Sequence, residues 1–339
     1  MTWIAATDPR FQVAGLPWLA ENRGEFLRLP ERAKAVVRPE VWSLARMPSG
    51  GQVRFRSDTT SLRLRVSHTQ HIHMWNMPRA GHSTIDLYVG GPGQQRYWTG
   101  TTPREDSPTY ECLLFADLSP ELREYTLYLP TYNDLTDLQI DLSPGAQVLP
   151  PSPFALERPV VFYGTSITQG GCATRPGNGY VNALGRLLNV EVVNQGYSGN
   201  GKGEPEMAAL LAELNPACYV LDFACNNATA EELEQVYYPF YRTLRAAHPD
   251  VPIVMMSTIE LSLELHQRDM KAKRLGQTRV IREAFHRAIR AGDDRVTFVD
   301  GIWLLDAQTE GAYVDGVHPT DLGFALMAQR LAPILRSIL

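Results

Sequence analysis

Ser166, Asp315 and His318 are the side chains of this sequence whose types and settings suit nucleophilic chemistry. Ser166 stands in Gly164-Thr165-Ser166-Ile167-Thr168-Gln169-Gly170-Gly171, directly after the apolar run Val160-Val161-Phe162-Tyr163. A β-branched and aromatic strand that runs into small, turn-permissive residues presents a serine hydroxyl at its carboxyl end. That hydroxyl is a weak nucleophile at neutral pH, so it needs a base and donors for the oxyanion it creates. The base is offered by Val314-Asp315-Gly316-Val317-His318-Pro319. His318 suits a proton shuttle, and Asp315, in a turn containing Gly316, can fold back to accept the ring Nδ1–H. Asp300 and Asp321 are the alternative carboxylates for that ring. The chemistry these residues suit is acyl transfer.

Two more segments supply candidate donors. Asn194-Gln195-Gly196-Tyr197-Ser198-Gly199-Asn200-Gly201 follows a second apolar run, and its glycine-rich turn leaves the Gly196 N–H free to face the same edge. The run Tyr219-Val220-Leu221-Asp222-Phe223 leads into Ala224-Cys225-Asn226-Asn227, where the Asn226 amide can donate and Asn227 is the competing neighbour. The expected oxyanion hole is therefore the Ser166 N–H, the Gly196 N–H and the Asn226 side chain. Tyr197, Ser198 and Cys225 flank it as candidate substrate contacts. Cys225 has no base near it in sequence and is not read as a nucleophile.

These side chains need elements that bring them to one edge. After residue 151, strand-like runs at 160–163, 190–194, 218–223, 252–256 and 296–300 alternate with helical patterns near 178–188, 204–214, 231–247, 275–291 and 321–338. Five such units imply a flavodoxin-like, three-layer α/β/α domain whose five-stranded parallel sheet binds ligand beyond its strand carboxyl ends. Pro319 suits the first turn of the last helix. From about Val41 to Leu142 the period is two instead: Leu62, Leu64 and Val66 face one way, Arg63 and Arg65 the other. Turn clusters such as Pro48-Ser49-Gly50-Gly51 and Gly90-Gly91-Pro92-Gly93 separate the runs, as in an antiparallel β-sandwich of jelly-roll type. Pro144, Pro150, Pro151, Pro153 and Pro159 interrupt both patterns. The expected domains are 1–151 and 152–339.

Composition narrows the function classes. A net charge of -5 gives no electrostatic reason for a nucleic-acid or anionic-membrane partner. No apolar run reaches membrane-span length, and Met1-Thr2-Trp3-Ile4-Ala5-Ala6-Thr7-Asp8 has no basic-then-apolar leader, so a cytoplasmic protein is expected. Cys112, Cys172, Cys218 and Cys225 have neither disulfide-framework nor zinc spacing and read as reduced thiols. His68, His71, His73 and His82 lie close together, but no carboxylate or thiolate completes a ligand set, and neither metal nor cofactor is expected. The charged stretch from Glu260 to Arg274 reads as a solvated helical face. Homo-oligomerisation is compatible with this composition.

Together the motifs resemble the SGNH (GDSL-like) hydrolases, in the branch with an extra N-terminal β-sandwich. Gly164-Thr165-Ser166-Ile167-Thr168-Gln169-Gly170 matches the first block and its nucleophile, Asn194-Gln195-Gly196-Tyr197-Ser198-Gly199 the second, Asn226 the third, and Asp315 with His318 the last. The blocks run in order through residues 160–325. Ser43-Leu44-Ala45-Arg46-Met47-Pro48-Ser49-Gly50-Gly51 and Tyr128-Leu129-Pro130-Thr131-Tyr132-Asn133 look like the branch's N-terminal domain. Thr165 stands where many members have Asp, and Ala224-Cys225-Asn226 replaces Gly-x-Asn, adding a methyl and a thiol near the oxyanion site. The resemblance implies a serine esterase cleaving a small acyl group, most simply acetyl, from a carbohydrate or related alcohol. An acyltransferase with the same acyl-serine, or a non-catalytic carbohydrate-binding protein, are the rival readings.

Overall fold

The computed structural model describes residues 2–104 and 107–339. The first half of the chain forms two antiparallel sheets. Their strands are β1 (Ile4–Ala5), β2 (Gln12–Ala14), β3 (Gln52–Ser57), β4 (Leu62–Ser67), β5 (Asp86–Val89), β6 (Arg96–Gly100), β7 (Thr109–Phe115), β8 (Arg123–Tyr128), β9 (Asp137–Leu142) and β10 (Val148–Leu149). One sheet runs β1-β9-β4-β7; the other runs β10-β3-β8-β5-β6, with β2 also on β3. Leu62, Leu64, Val66, Leu138 and Ile140 from the first meet Val53, Phe55, Leu87, Tyr125 and Leu127 from the second in one buried core. The alternation in β4 puts Arg65 on the outer face, where it pairs with its cross-strand neighbour Glu111 at 2.7 Å. This is the expected sandwich.

Val41, at the start of the stretch read as alternating, is helical instead. Pro39–Ala45 forms α1, with Pro39 opening its first turn, and α2 is the single turn Arg79–His82. Val41 and Ala45 sit four apart on one helix face, and both are buried. The strands of this stretch begin at Gln52, and burial alternates residue by residue in β4.

The second half is a five-stranded, fully parallel sheet in the order β12-β11-β13-β14-β15. Its strands are β11 (Val160–Gly164), β12 (Val192–Gly196), β13 (Cys218–Asp222), β14 (Ile253–Met256) and β15 (Val296–Val299). Residues of β11 are apolar throughout because helices cover both faces. The short α3 (Ser166–Gln169) follows β11 directly, and α4 (Tyr180–Leu188) and α8 (Asp321–Ile338) pack on one face. The other face carries α5 (Pro205–Ala212), α6 (Ala230–Ala247) and α7 (Arg268–Arg290). α7 starts earlier than the 275–291 pattern and takes in the charged residues from Arg268 onward, while Glu264 and Arg274 turn inward as a buried ion pair at 2.8 Å. Pro319 lies just ahead of Thr320, whose side chain caps α8, so it precedes the helix rather than opening it. No helix among the described residues is long and apolar enough to cross a membrane.

The packing crosses the proline-rich stretch. Trp18, Leu29, Ala33, Val37, Val41 and Ala45 belong to the same buried cluster as Val161, Tyr163, Val193, Tyr197 and Leu211 of the α/β half. Arg28, fully buried, donates to the carbonyls of Leu44, Met47, Asn194 and Gly196 and lies 4.6 Å above the Tyr197 ring. Asp86 of β5, also buried, accepts the Gly177 N–H at 2.9 Å. A segment early in the chain therefore completes the core of a sheet made later.

Candidate active site

Ser166 is the first residue of α3, and its setting follows from local capping. The Thr165 hydroxyl accepts the Ile167 N–H while the Thr168 hydroxyl accepts the Thr165 N–H, each at 3.2 Å, closing a capping box. Threonine here does the helix-capping work that an aspartate would do. Gly170, with φ of 100°, ends the turn. The Ser166 N–H, at the first helical position, has no intrahelical partner.

His318 brings its Nε2 to 2.8 Å from Ser166 Oγ, and its Nδ1 to 2.8 Å from Asp315 Oδ2. Asp315 Oδ1 accepts the N–H groups of Val317 at 3.0 Å and His318 at 2.8 Å, and Oδ2 also accepts Asn76 Nδ2–H at 2.7 Å. Burial alone pushes the Asp315 carboxyl upward. Hydrogen bonds from the His318 backbone, Asn76 and the His318 ring outweigh it and hold the carboxyl at about 2. Asp315 is therefore an anion beside the imidazole at neutral pH. The alternative carboxylates are engaged elsewhere: Asp300 with Ser257 and Arg282, Asp321 with Thr174.

One expected donor faces the wrong way. The Gly196 N–H is given to Asn194 Oδ1 at 2.9 Å, because the Asn194 side chain folds back along its own strand end. Gly196 is required for space instead: a Cβ there would lie 2.2 Å from the Gln169 N in α3. Three residues on, Gly199 takes a φ of 68°, open space surrounds the position of a Cβ, and its N–H has no hydrogen-bond partner among the described residues. Asn226 Nδ2 gives one hydrogen to the Tyr197 carbonyl at 3.1 Å, leaving the second available. Asn227 is buried and bonds to the Phe223 carbonyl.

The flanking residues divide. Tyr197 is corrected as a substrate contact: its ring is buried under Arg28 and its hydroxyl donates to Gln195 Oε1. Ser198 lines a cleft of about 570 Å³ with Glu40, Ser43, Leu44, Met74 and Tyr132. The Ala224 methyl enters the core cluster rather than the site, and Cys225 packs against the opposite cluster, its thiol pushed up to about 11 by burial. His68, His71, His73 and His82 line a separate small cavity with Arg79.

Sequence reading missed four neighbours. Asn76 reaches Asp315 from 239 positions away, and the Tyr132 hydroxyl donates to the Ser166 carbonyl at 3.3 Å. Gln169 bonds both to the Thr131 carbonyl and to the Ser198 N–H, tying α3 to the sandwich half. The Cys172 Sγ lies within 4.8 Å of ligand atoms of both Asp315 and His318, and burial, then Asp315, pushes its thiol up to about 12. Tyr132 and Gln169 had a sequence cue, in Tyr128-Leu129-Pro130-Thr131-Tyr132-Asn133 and in the block around Ser166; Asn76 and Cys172 had none.

Comparison with known proteins follows the same two halves. Residues 157–336 match the model of the GDSL-like lipase/acylhydrolase family, and residues 1–148 match GxDLY, the N-terminus of SGNH-type esterases. A GDSL-like lipase from Bacteroides ovatus ATCC 8483 is 28% identical, with TM-score 0.90 over 99% of this chain and 97% of its own. The salicylyl-acyltransferase SsfX3 from a tetracycline biosynthetic pathway is 18% identical, with TM-score 0.81 over 99% and 97%. A family two carbohydrate esterase from Clostridium thermocellum, in complex with cellohexaose, is 18% identical with TM-score 0.65 over 85% and 92%. A search of the curated proteins finds no match.

Proposed function

Because the chain belongs to the GDSL-like lipase/acylhydrolase family, we propose that it hydrolyses a small acyl ester through Ser166, with acetyl carried by a carbohydrate or related alcohol as the substrate class. The observation that carries this reading is the unbroken line from Ser166 Oγ through the His318 ring to Asp315, with 2.8 Å at each junction. His318 Nε2 takes the hydroxyl proton as Oγ attacks the ester carbonyl, and the ring's other nitrogen stays bonded to Asp315. The tetrahedral oxyanion is held by the N–H groups of Ser166 and Gly199 and by Asn226 Nδ2. Gly199 takes the role the sequence assigned to Gly196. Collapse expels the alcohol, protonated by His318, and leaves acyl-Ser166. Water then enters, gives its proton to His318, and releases the acid and free Ser166.

On this reading residues 152–339 carry the chemistry, and residues 1–151 supply Asn76, Tyr132 and much of the cleft wall. Hydroxyl- and carboxylate-bearing side chains beside the apolar Leu44 and Met74 suit a polyhydroxy alcohol. The carbohydrate esterases among the structural neighbours support the same class. Transfer to a second alcohol is the alternative, favoured by the fit of SsfX3 across both domains.

The test is hydrolysis of p-nitrophenyl acetate, butyrate and octanoate by wild type and Ser166→Ala, followed by acetylated sugars with and without an added alcohol acceptor. Turnover of the acetate by wild type and its loss in Ser166→Ala are expected. Equal inertness of both proteins contradicts hydrolysis, and product appearing only with acceptor assigns transfer.

A further inference from the structure

We infer that Asn76, contributed by the sandwich half, is a positioning residue for Asp315, its amide fixing the carboxylate against the His318 ring. The inference rests on the Ser166–His318–Asp315 reading above.

Four hydrogen bonds converge on the Asp315 carboxylate, and three come from its own turn. Val317 N–H and His318 N–H hold Oδ1, and His318 Nδ1 meets Oδ2. If these were all, Oδ2 would be located only by the ring that it has to orient. Asn76 Nδ2, at 2.7 Å, gives Oδ2 an anchor that does not move with His318. An amide suits this place because it donates without charge, so the negative charge facing the imidazole is kept. Lysine or arginine there would cancel it.

The loop that presents Asn76 is tied at both ends. Near its start, Thr69 N–H donates to Asp134 Oδ1 at 2.8 Å, and the His68 Nδ1 contacts the Asp134 carbonyl. Past its end, Thr131 Oγ1 donates to the Gly81 carbonyl at 2.9 Å. Asp134 is itself held by Arg46 at 2.9 Å. Between these ties the loop leaves the sandwich, and Met74, two residues before Asn76, lines the cleft. The titratable groups beside Asp315 among the described residues are the His318 ring and the Cys172 thiol.

The test compares wild type, Asn76→Ala and Asn76→Asp; the second keeps the shape, removes the donor and adds charge. For p-nitrophenyl acetate, kcat is expected to fall about tenfold in Asn76→Ala and further in Asn76→Asp, with KM changed less than about twofold. The acid limb of the kcat/KM profile is expected to move to higher pH in both, further in Asn76→Asp, because a carboxylate with one donor fewer holds the imidazolium more firmly. In protein labelled with 15N-histidine, the His318 ring signals, assigned with His318→Gln, are expected to shift in both variants. This readout needs no turnover. If wild type shows no Ser166-dependent hydrolysis, shifted ring signals still support the role of Asn76 while the esterase reading fails. Unmoved ring signals with an unmoved pH profile overturn the inference, including where activity and thermal midpoint drop together, which marks a purely structural residue.

Discussion

Gly196 and Gly199 stand three residues apart in one glycine-rich turn, and they separate what the sequence reveals from what it hides. Residue types and order expose Ser166, Asn226, Asp315 and His318 because each follows a recognisable run and the four occur in a family's order. Which glycine N–H is free depends on where the Asn194 side chain folds, and no pattern of letters states that. The two glycines therefore predict different failures. Gly196→Ala places a methyl against the α3 backbone, at 2.2 Å from Gln169 N, and should lower the thermal midpoint or abolish soluble expression. Gly199→Ala meets open space and should fold, with the strain of a φ of 68° and a displaced N–H appearing as lost kcat. Asn226→Ala removes one proposed oxyanion donor, and kcat should fall by about 10²–10³ with KM little changed. Steady-state kinetics beside thermal melts distinguish the cases: an Asn226→Ala protein with unchanged kcat would remove Asn226 from the hole.

At the scale of elements, the turn that carries Ser166 rests on a buried acid. Asp222 ends β13 and accepts hydrogen bonds from Tyr180 Oη and Thr168 Oγ1, each at 2.9 Å. Burial pushes its carboxyl up to about 7, against the lowering effect of Tyr180 and Thr168. In the unfolded chain it titrates near 3.8. Between about 4 and 7 the folded protein keeps a proton that the unfolded chain releases, so this group lowers stability as pH rises through that window. Asp315 acts in the opposite sense and at lower pH, its contribution being lost as pH falls from 3.8 toward 2. Asp222→Asn should gain stability relative to wild type from pH 4.5 to 8, measured by urea unfolding. A constant difference across that range would mean Asp222 titrates as an ordinary carboxyl. The five parallel strands were legible because both faces are buried and their runs are unbroken. Short edge strands such as β1, β2 and β10 offer too few residues for a period to register, and α1 overlaps the start of the stretch from Val41 that reads with a period of two.

For the whole molecule, the two patterned halves are visible in sequence, but their dependence on one another is not. Helical and strand periods report which residues are buried, not what buries them. Trp18, Leu29 and Val41 thus read as sandwich residues, yet they pack on the α/β sheet. Arg28 looks like an ordinary surface arginine until its four carbonyl partners are seen. Because these contacts are buried and extensive, calorimetry should find one cooperative unfolding transition, and two separated transitions would contradict that coupling. Residues 152–339 expressed alone should lack native near-UV circular dichroism. Arg28→Met, which leaves carbonyls buried without donors, should destabilise the full chain by on the order of 3 kcal/mol.

The crossing of residues 18–45 into the later sheet also has a consequence in time. During translation this segment leaves the ribosome well before Asn194 and Gly196, whose carbonyls receive Arg28 and which follow it by 166 and 168 positions. Until β12 and its neighbours emerge, the apolar face around Leu29, Val37 and Val41 has nothing to close against. The nascent chain must hold an adhesive segment open while the residues between it and β12 are made. Slowing elongation should therefore lengthen the interval in which chaperones can bind it.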